Sequence, residues 1–79
     1  MHYVYILQSI KNPERFYTGS TGDLKKRINE HNSGYSSHTN KHRLWQLRTY
    51  IAFDDKERAE DFEDYLKTRS GRAFMRKRL

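Results

Sequence analysis

Three side chains sit where helical periodicity would place apolar ones, and each can do chemistry. In Ala59-x-x-Phe62-Glu63-x-x-Leu66 the apolar residues fall at i, i+3 and i+7, and Glu63 shares their stripe at i+4. A carboxylate turned toward a core is costly to desolvate unless a cation, a metal ion or a set of donors meets it. Leu24, Arg27, Ile28 and His31 repeat the arrangement earlier in the chain. An inward guanidinium can fork onto two oxygens of a phosphate. An imidazole on the same face can accept or release a proton near neutrality. Two helices that each turn polar, chemically capable groups inward suggest a site.

The elements that must position these groups follow from the pattern. His2 to Gln8 is rich in aromatic and β-branched residues and reads as a strand. It carries large side chains on both faces, as a central strand covered on both sides would. Lys11-Asn12-Pro13-Glu14 is a turn, and Arg15 to Gly19 a second strand antiparallel to the first. Ser20-Thr21-Gly22-Asp23 offers N-caps for a helix over Leu24 to Asn32, stopped by Asn32-Ser33-Gly34. Tyr35 to Arg43 is polar, basic and aperiodic, hence a surface loop. From Trp45 to Phe53, the alternate residues Trp45, Leu47, Thr49, Ile51 and Phe53 predict a third strand with one apolar face. Asp54 with Glu57 three residues on predicts the start of a second helix, running to about Thr68. Ser70-Gly71 is read as its break, followed by a short basic helix from Arg72 to Arg78. The expectation is an α+β domain spanning residues 1–79, with a three-stranded antiparallel sheet flanked by helices in the order β-β-α-β-α-α.

Composition narrows the function. The chain has 79 residues, no cysteine and a formal charge of +6. The missing cysteine excludes disulfides and thiolate-bound zinc and fits a reducing compartment. No apolar run is long enough to cross a membrane and no secretory signal is visible, so a cytoplasmic protein with no membrane partner is expected. The basic excess, concentrated at residues 25–27, 41–43 and 69–78, suits a polyanion, chiefly nucleic acid. His38 and His42 have i, i+4 spacing, but that segment lacks helical signals and a nearby acidic ligand, so zinc is set aside.

In these same motifs the chain resembles the GIY-YIG nuclease superfamily. It looks closest to small bacterial members similar to the nuclease module of the nucleotide-excision-repair incision subunit. The first signature corresponds to Tyr3-Val4-Tyr5 and the second to Tyr17-Thr18-Gly19. The helix arginine falls on Arg27, within Leu24-x-x-Arg27-Ile28-x-x-His31-Asn32, and the metal-binding glutamate on Glu63. Tyr3 stands where the signature has Gly, and Thr18 where it has Ile. No Asn follows Glu63, and Leu44 precedes Trp45 where relatives often have Pro.

The resemblance implies an endonuclease that hydrolyses DNA phosphodiester bonds with one Mg²⁺ or Mn²⁺, on structured or single-stranded DNA in a repair or recombination context. Magnesium is typically held by one or two carboxylates plus substrate phosphate, so Glu63 alone would bind it weakly without DNA. Arg27 would neutralise phosphoryl charge, and His31 would accept a proton. Tyr5 is expected as general base and Tyr17 as the group that positions the phosphate. Lys26, Tyr35, His38, Lys41, His42, Arg43, Lys67 and Arg72 are expected to contact nucleic acid. The rival reading is a non-catalytic module that binds nucleic acid through the same basic face. A third has the basic terminal segment docking an acidic protein partner, and a protein partner that supplies specificity is a further expectation.

Overall fold

A computed structural model describes residues 1–34 and 43–79. It confirms the α+β architecture and the element order. Strands β1 (His2–Ser9), β2 (Phe16–Thr21) and β3 (Trp45–Phe53) form an antiparallel sheet in the order β2-β1-β3. Helices α1 (Leu24–Ser33), α2 (Lys56–Leu66) and α3 (Arg69–Arg78) complete it. None of the helices is long and apolar enough to cross a membrane.

The central strand is hydrophobic on both pleat faces because each face carries its own core. Tyr5, Leu7 and Trp45 pack with Tyr17 and with Leu24 and Ile28 of α1. Val4 and Ile6 pack on the other face with Ala59 and Leu66 of α2, joined by Phe53, Phe62, Met75 and Leu79. Dividing the apolar residues between two thin layers leaves little depth on either side. Aromatic rings compensate, since each brings a large contact area.

β3 does not present the single apolar face that its alternation predicts. Leu7 pairs with Leu47 but Ile6 pairs with Thr49, so Arg48 is an extra residue and the register shifts there. Such a bulge exchanges the two faces of the strand beyond it. Trp45 and Leu47 therefore share the face of Leu7, whereas Ile51 and Phe53 lie opposite Val4 and His2 on the other face. One alternating run feeds both cores.

The helix ends also differ from the expected ones. Asp55, not Asp54, caps α2: its carboxylate accepts from the backbone N–H of Glu57. Helix α2 ends at Leu66, and Thr68 caps α3 by accepting from the N–H of Gly71. Gly71 is thus inside α3 and is not a break. It is needed there because a Cβ would fall 1.8 Å from the Tyr65 carbonyl oxygen and 2.6 Å from Leu66 Cα. That contact allows α3 to fold back against the end of α2.

Candidate active site

Tyr5 is the hub of the site, and a glycine makes room for it. The residue opposite Tyr5 on β2 is Gly19, where a Cβ would lie 2.5 Å from the Tyr5 oxygen and 2.7 Å from its Cζ. The phenol therefore lies across the backbone of the edge strand. Its oxygen is 2.9 Å from Nε2 of His31, a residue with no solvent exposure. Tyr17 closes the group, with its ring centroid 4.8 Å from that of His31 and 6.3 Å from that of Tyr5.

Helix α1 delivers both His31 and Arg27 to this face. Asp23 starts the helix by accepting from the N–H of Lys26, and Gly34 ends it in the left-handed conformation at φ 86°. Asn32, which no chemical pattern singles out, ties the last turn to the sheet. Its amide donates to the Trp45 carbonyl at 3.0 Å and accepts from the Trp45 N–H at 2.6 Å. The side chain thus satisfies both backbone groups of Trp45 as a neighbouring strand would, and fixes the position of adjacent His31.

The electrostatics follow from this burial. Desolvation pushes the Tyr5 phenol up to about 12, although the Arg27 guanidinium beside it pulls the other way. Desolvation, reinforced by the positive charge of Arg27, pushes the His31 imidazole down to about 4. At neutral pH the pair is a neutral phenol and a neutral imidazole. Arg27 itself is held charged mainly by Glu30, which accepts from its Nη1 at 3.0 Å. Arg27 is about one-third exposed and reaches the surface at the rim of the site.

Glu63 lies on the other face of the sheet, where it meets Ser20 of β2. Ser20 donates to its Oε1 at 2.7 Å, and the Lys67 ammonium donates to Oε2 at 2.6 Å. The carboxylate side chain is only 16% exposed, and its charge is among those acting on Tyr5. Of the cap candidates at residues 20–23, Asp23 caps α1, whereas β2 runs two residues past Gly19 to Thr21 and so makes Ser20 a strand residue and a donor for Glu63. In the sequence, the signal for it was its place next to Gly19, at the end of an edge strand.

The expected phosphate contacts divide. Lys67 and Arg72 line a groove beside Tyr17, whereas Lys26 lies with Arg27 on the exposed start of α1. Arg43 is exposed just before β3. Tyr35, His38, Lys41 and His42 lie outside the described residues. Among the described residues, no cluster of three or more His, Asp or Glu side chains gathers as a metal cage.

The model of the GIY-YIG catalytic domain matches residues 1–78. The chain belongs to the GIY-YIG family. Its relatives include UPF0213 proteins of Streptococcus pyogenes serotypes M3 and M4, each 39% identical over 72 residues, which cover 90% of this chain and 76% of the relative. A solution NMR structure of the UPF0213 protein BH0048 from Bacillus halodurans is also similar, with a TM-score of 0.55 and 34% identity. That match covers 94% of this chain and 80% of the other. The chain is therefore a UPF0213-type GIY-YIG protein. GIY-YIG domains bind nucleic acid, and nucleases of the family generally use a divalent metal ion.

Proposed function

We propose that this GIY-YIG protein is a metal-dependent endonuclease acting on DNA, with Tyr5, Tyr17, Arg27, His31 and Glu63 as its catalytic groups. The observation that supports the reading is a buried Tyr5–His31 pair whose phenol lies within electrostatic reach of both the rim Arg27 and the mostly buried Glu63 carboxylate. Phosphodiester hydrolysis requires a deprotonated water, charge stabilisation on the phosphoryl oxygens and assistance to the leaving oxygen. Arg27 supplies the second, once a phosphate competes with Glu30 for its guanidinium. Tyr17, at the mouth of the site, positions the phosphate. The repair or recombination context belongs to this same reading.

Glu63 fits a hard divalent cation, which takes oxygen ligands and needs few from the protein. When bound, the ion would polarise a phosphoryl oxygen. Ser20 orients Glu63 for it, and Lys67 must first leave the carboxylate.

The acidities set a condition on Tyr5 as base. With the phenol pushed up to about 12 and the imidazole down to about 4, passing a proton from one to the other is strongly uphill. Tyr5 therefore becomes a base only once positive charge has gathered at Glu63 to add to that of Arg27, which already hydrogen-bonds the phenol; before that it is a neutral phenol hydrogen-bonded to His31.

One observation favours the rival reading of a binding module: both oxygens of Glu63 already have partners. A nicking assay with Mg²⁺ or Mn²⁺ on single-stranded and structured DNA decides between them. Loss of cleavage in Glu63→Ala and Arg27→Ala supports the nuclease. Equal residual cleavage by both variants and the wild type means contamination and rejects it.

A further inference from the structure

Beside the site just described, a groove of about 620 Å³ runs between the β2 edge and α3. Arg15, Lys67, Arg72 and Arg76 line it and, among the described residues, Glu14 is its only carboxylate, so positive charge prevails along its length. Among the described residues, Arg15, Arg72 and Arg76 take part in no ion pair. Helix energetics do not account for these cations. The dipole welcomes Arg76 in the last turn of α3, but it disfavours Arg69 and Arg72 near the start, where the helix has no acidic residue at all. Arg72 and Arg76 are one turn apart on one face, with a rise of about 6 Å between them, comparable to the step between phosphates of an extended strand. At the far end Phe16 is half exposed, with the Arg48 guanidinium 5.6 Å from its ring centroid. Phe16 and Arg76 also line a second, smaller and more apolar recess. A ring and guanidinium at the end of a basic groove are what an unpaired base stacks on.

We propose that this groove is a second binding site, a phosphate track that takes the single strand leading away from the Tyr5–Glu63 site. Arg72 and Arg76 hold successive phosphates, and Phe16 with Arg48 holds a base. The proposal rests on the reading of the site as nucleic-acid-directed, but not on its being catalytic. Lys67 belongs to both places, since it lines the groove while its ammonium sits on Glu63. A phosphate entering the track competes for Lys67 and so uncovers the carboxylate.

The test uses a Glu63→Gln background, in which a bound strand is not cut, and metal-free buffer. Fluorescence anisotropy follows a labelled oligothymidylate and a labelled oligouridylate, each about 12 nucleotides long. Arg72→Gln and Arg76→Gln should each weaken binding at least about fivefold and lower the slope of affinity against salt by about one. Arg58→Gln, an exposed cation of α2 outside the groove, should change neither. Thermal melts check that the variants are folded. A similar loss in both strands supports recognition through the shared phosphodiester backbone, and a loss in only one names the strand the groove takes. Wild-type affinity in the double Arg72→Gln, Arg76→Gln variant overturns the proposal. So does an equal loss from Arg58→Gln, or binding of polyglutamate without binding of either oligonucleotide. Groove-dependent binding by a protein that never cuts would leave the track standing and remove only the nuclease reading.

Discussion

The Tyr5 oxygen on the central strand and Nε2 of His31 on α1 lie 2.9 Å apart, with the imidazole fully shielded from solvent. This contact joins the first signature motif to the first helix. It also places a titratable group where its charged form has no water. Burial lowers the histidine to about 4, so the unfolded chain, with a value near 6.5, binds more protons between those limits. Stability therefore rises with pH across that window and falls as the solution is acidified through it.

Between pH 7 and 4.5 the His31 contribution amounts to about 2 kcal/mol of lost stability. Urea unfolding at the two pH values should show it. In His31→Gln the loss should shrink by about that amount, whatever the other ionisable groups contribute. An undiminished loss in the variant would show that the imidazole is not held neutral by burial.

Two glycines that leave no room for a Cβ separate the site from the fold. Gly19→Ala meets the end of a side chain, the Tyr5 phenol, which can move. It should cost about 1–3 kcal/mol and displace Tyr5 from His31, with a larger effect on cleavage than on stability. Gly71→Ala meets the backbone of Tyr65 and Leu66, which cannot give way without separating α3 from α2. It should destabilise by more than Gly19→Ala and reduce soluble yield. Thermal melts and the nicking assay, run on both, test the contrast; the reverse order of stability would refute it.

Much of this was legible in the sequence, and the failures have physical causes. The inward stripe at Arg27, His31 and Glu63 was visible because helical period makes a misplaced polar residue obvious. The strands were visible from their β-branched and aromatic residues. The bulge at Arg48 was not, because a register shift leaves local alternation intact and only cross-strand pairing reveals it. Gly71 was misread for a similar reason: as a local signal it says helix break, whereas its use is a close approach between two helices. Asn32 and Ser20 were missed as supports because their partners, Trp45 and Glu63, are 13 and 43 residues away.

Asn32 tests how far α1 depends on its tie to β3. Asn32→Asp keeps the oxygen that accepts from the Trp45 N–H but replaces the donor to the Trp45 carbonyl with a second oxygen. A partly buried carbonyl then faces a carboxylate, at a cost of about 1–3 kcal/mol. Asn32→Asp should be less stable at pH 7, recovering part of the loss when acid protonates the new carboxyl. Stability equal to the wild type at both pH values would show that the tie contributes nothing.

The Lys67–Glu63 pair leads to the last prediction. An ammonium 2.6 Å from Oε2 is a competitor for any cation the carboxylate could hold, and the pairing raises the Lys67 pKa. The lysine is half exposed, so the ion pair itself contributes little to stability. Lys67→Met should therefore fold as well as the wild type while leaving Glu63 open. Mn²⁺ binding, followed by paramagnetic broadening of the resonances of Ser20 and Glu63 in the absence of nucleic acid, should be tighter in Lys67→Met than in the wild type. It should disappear in Glu63→Gln. Cleavage need not follow, because the same substitution removes a cation from the phosphate track; metal affinity and turnover should move in opposite directions. If Lys67→Met binds Mn²⁺ no better than the wild type, the lysine does not guard the carboxylate.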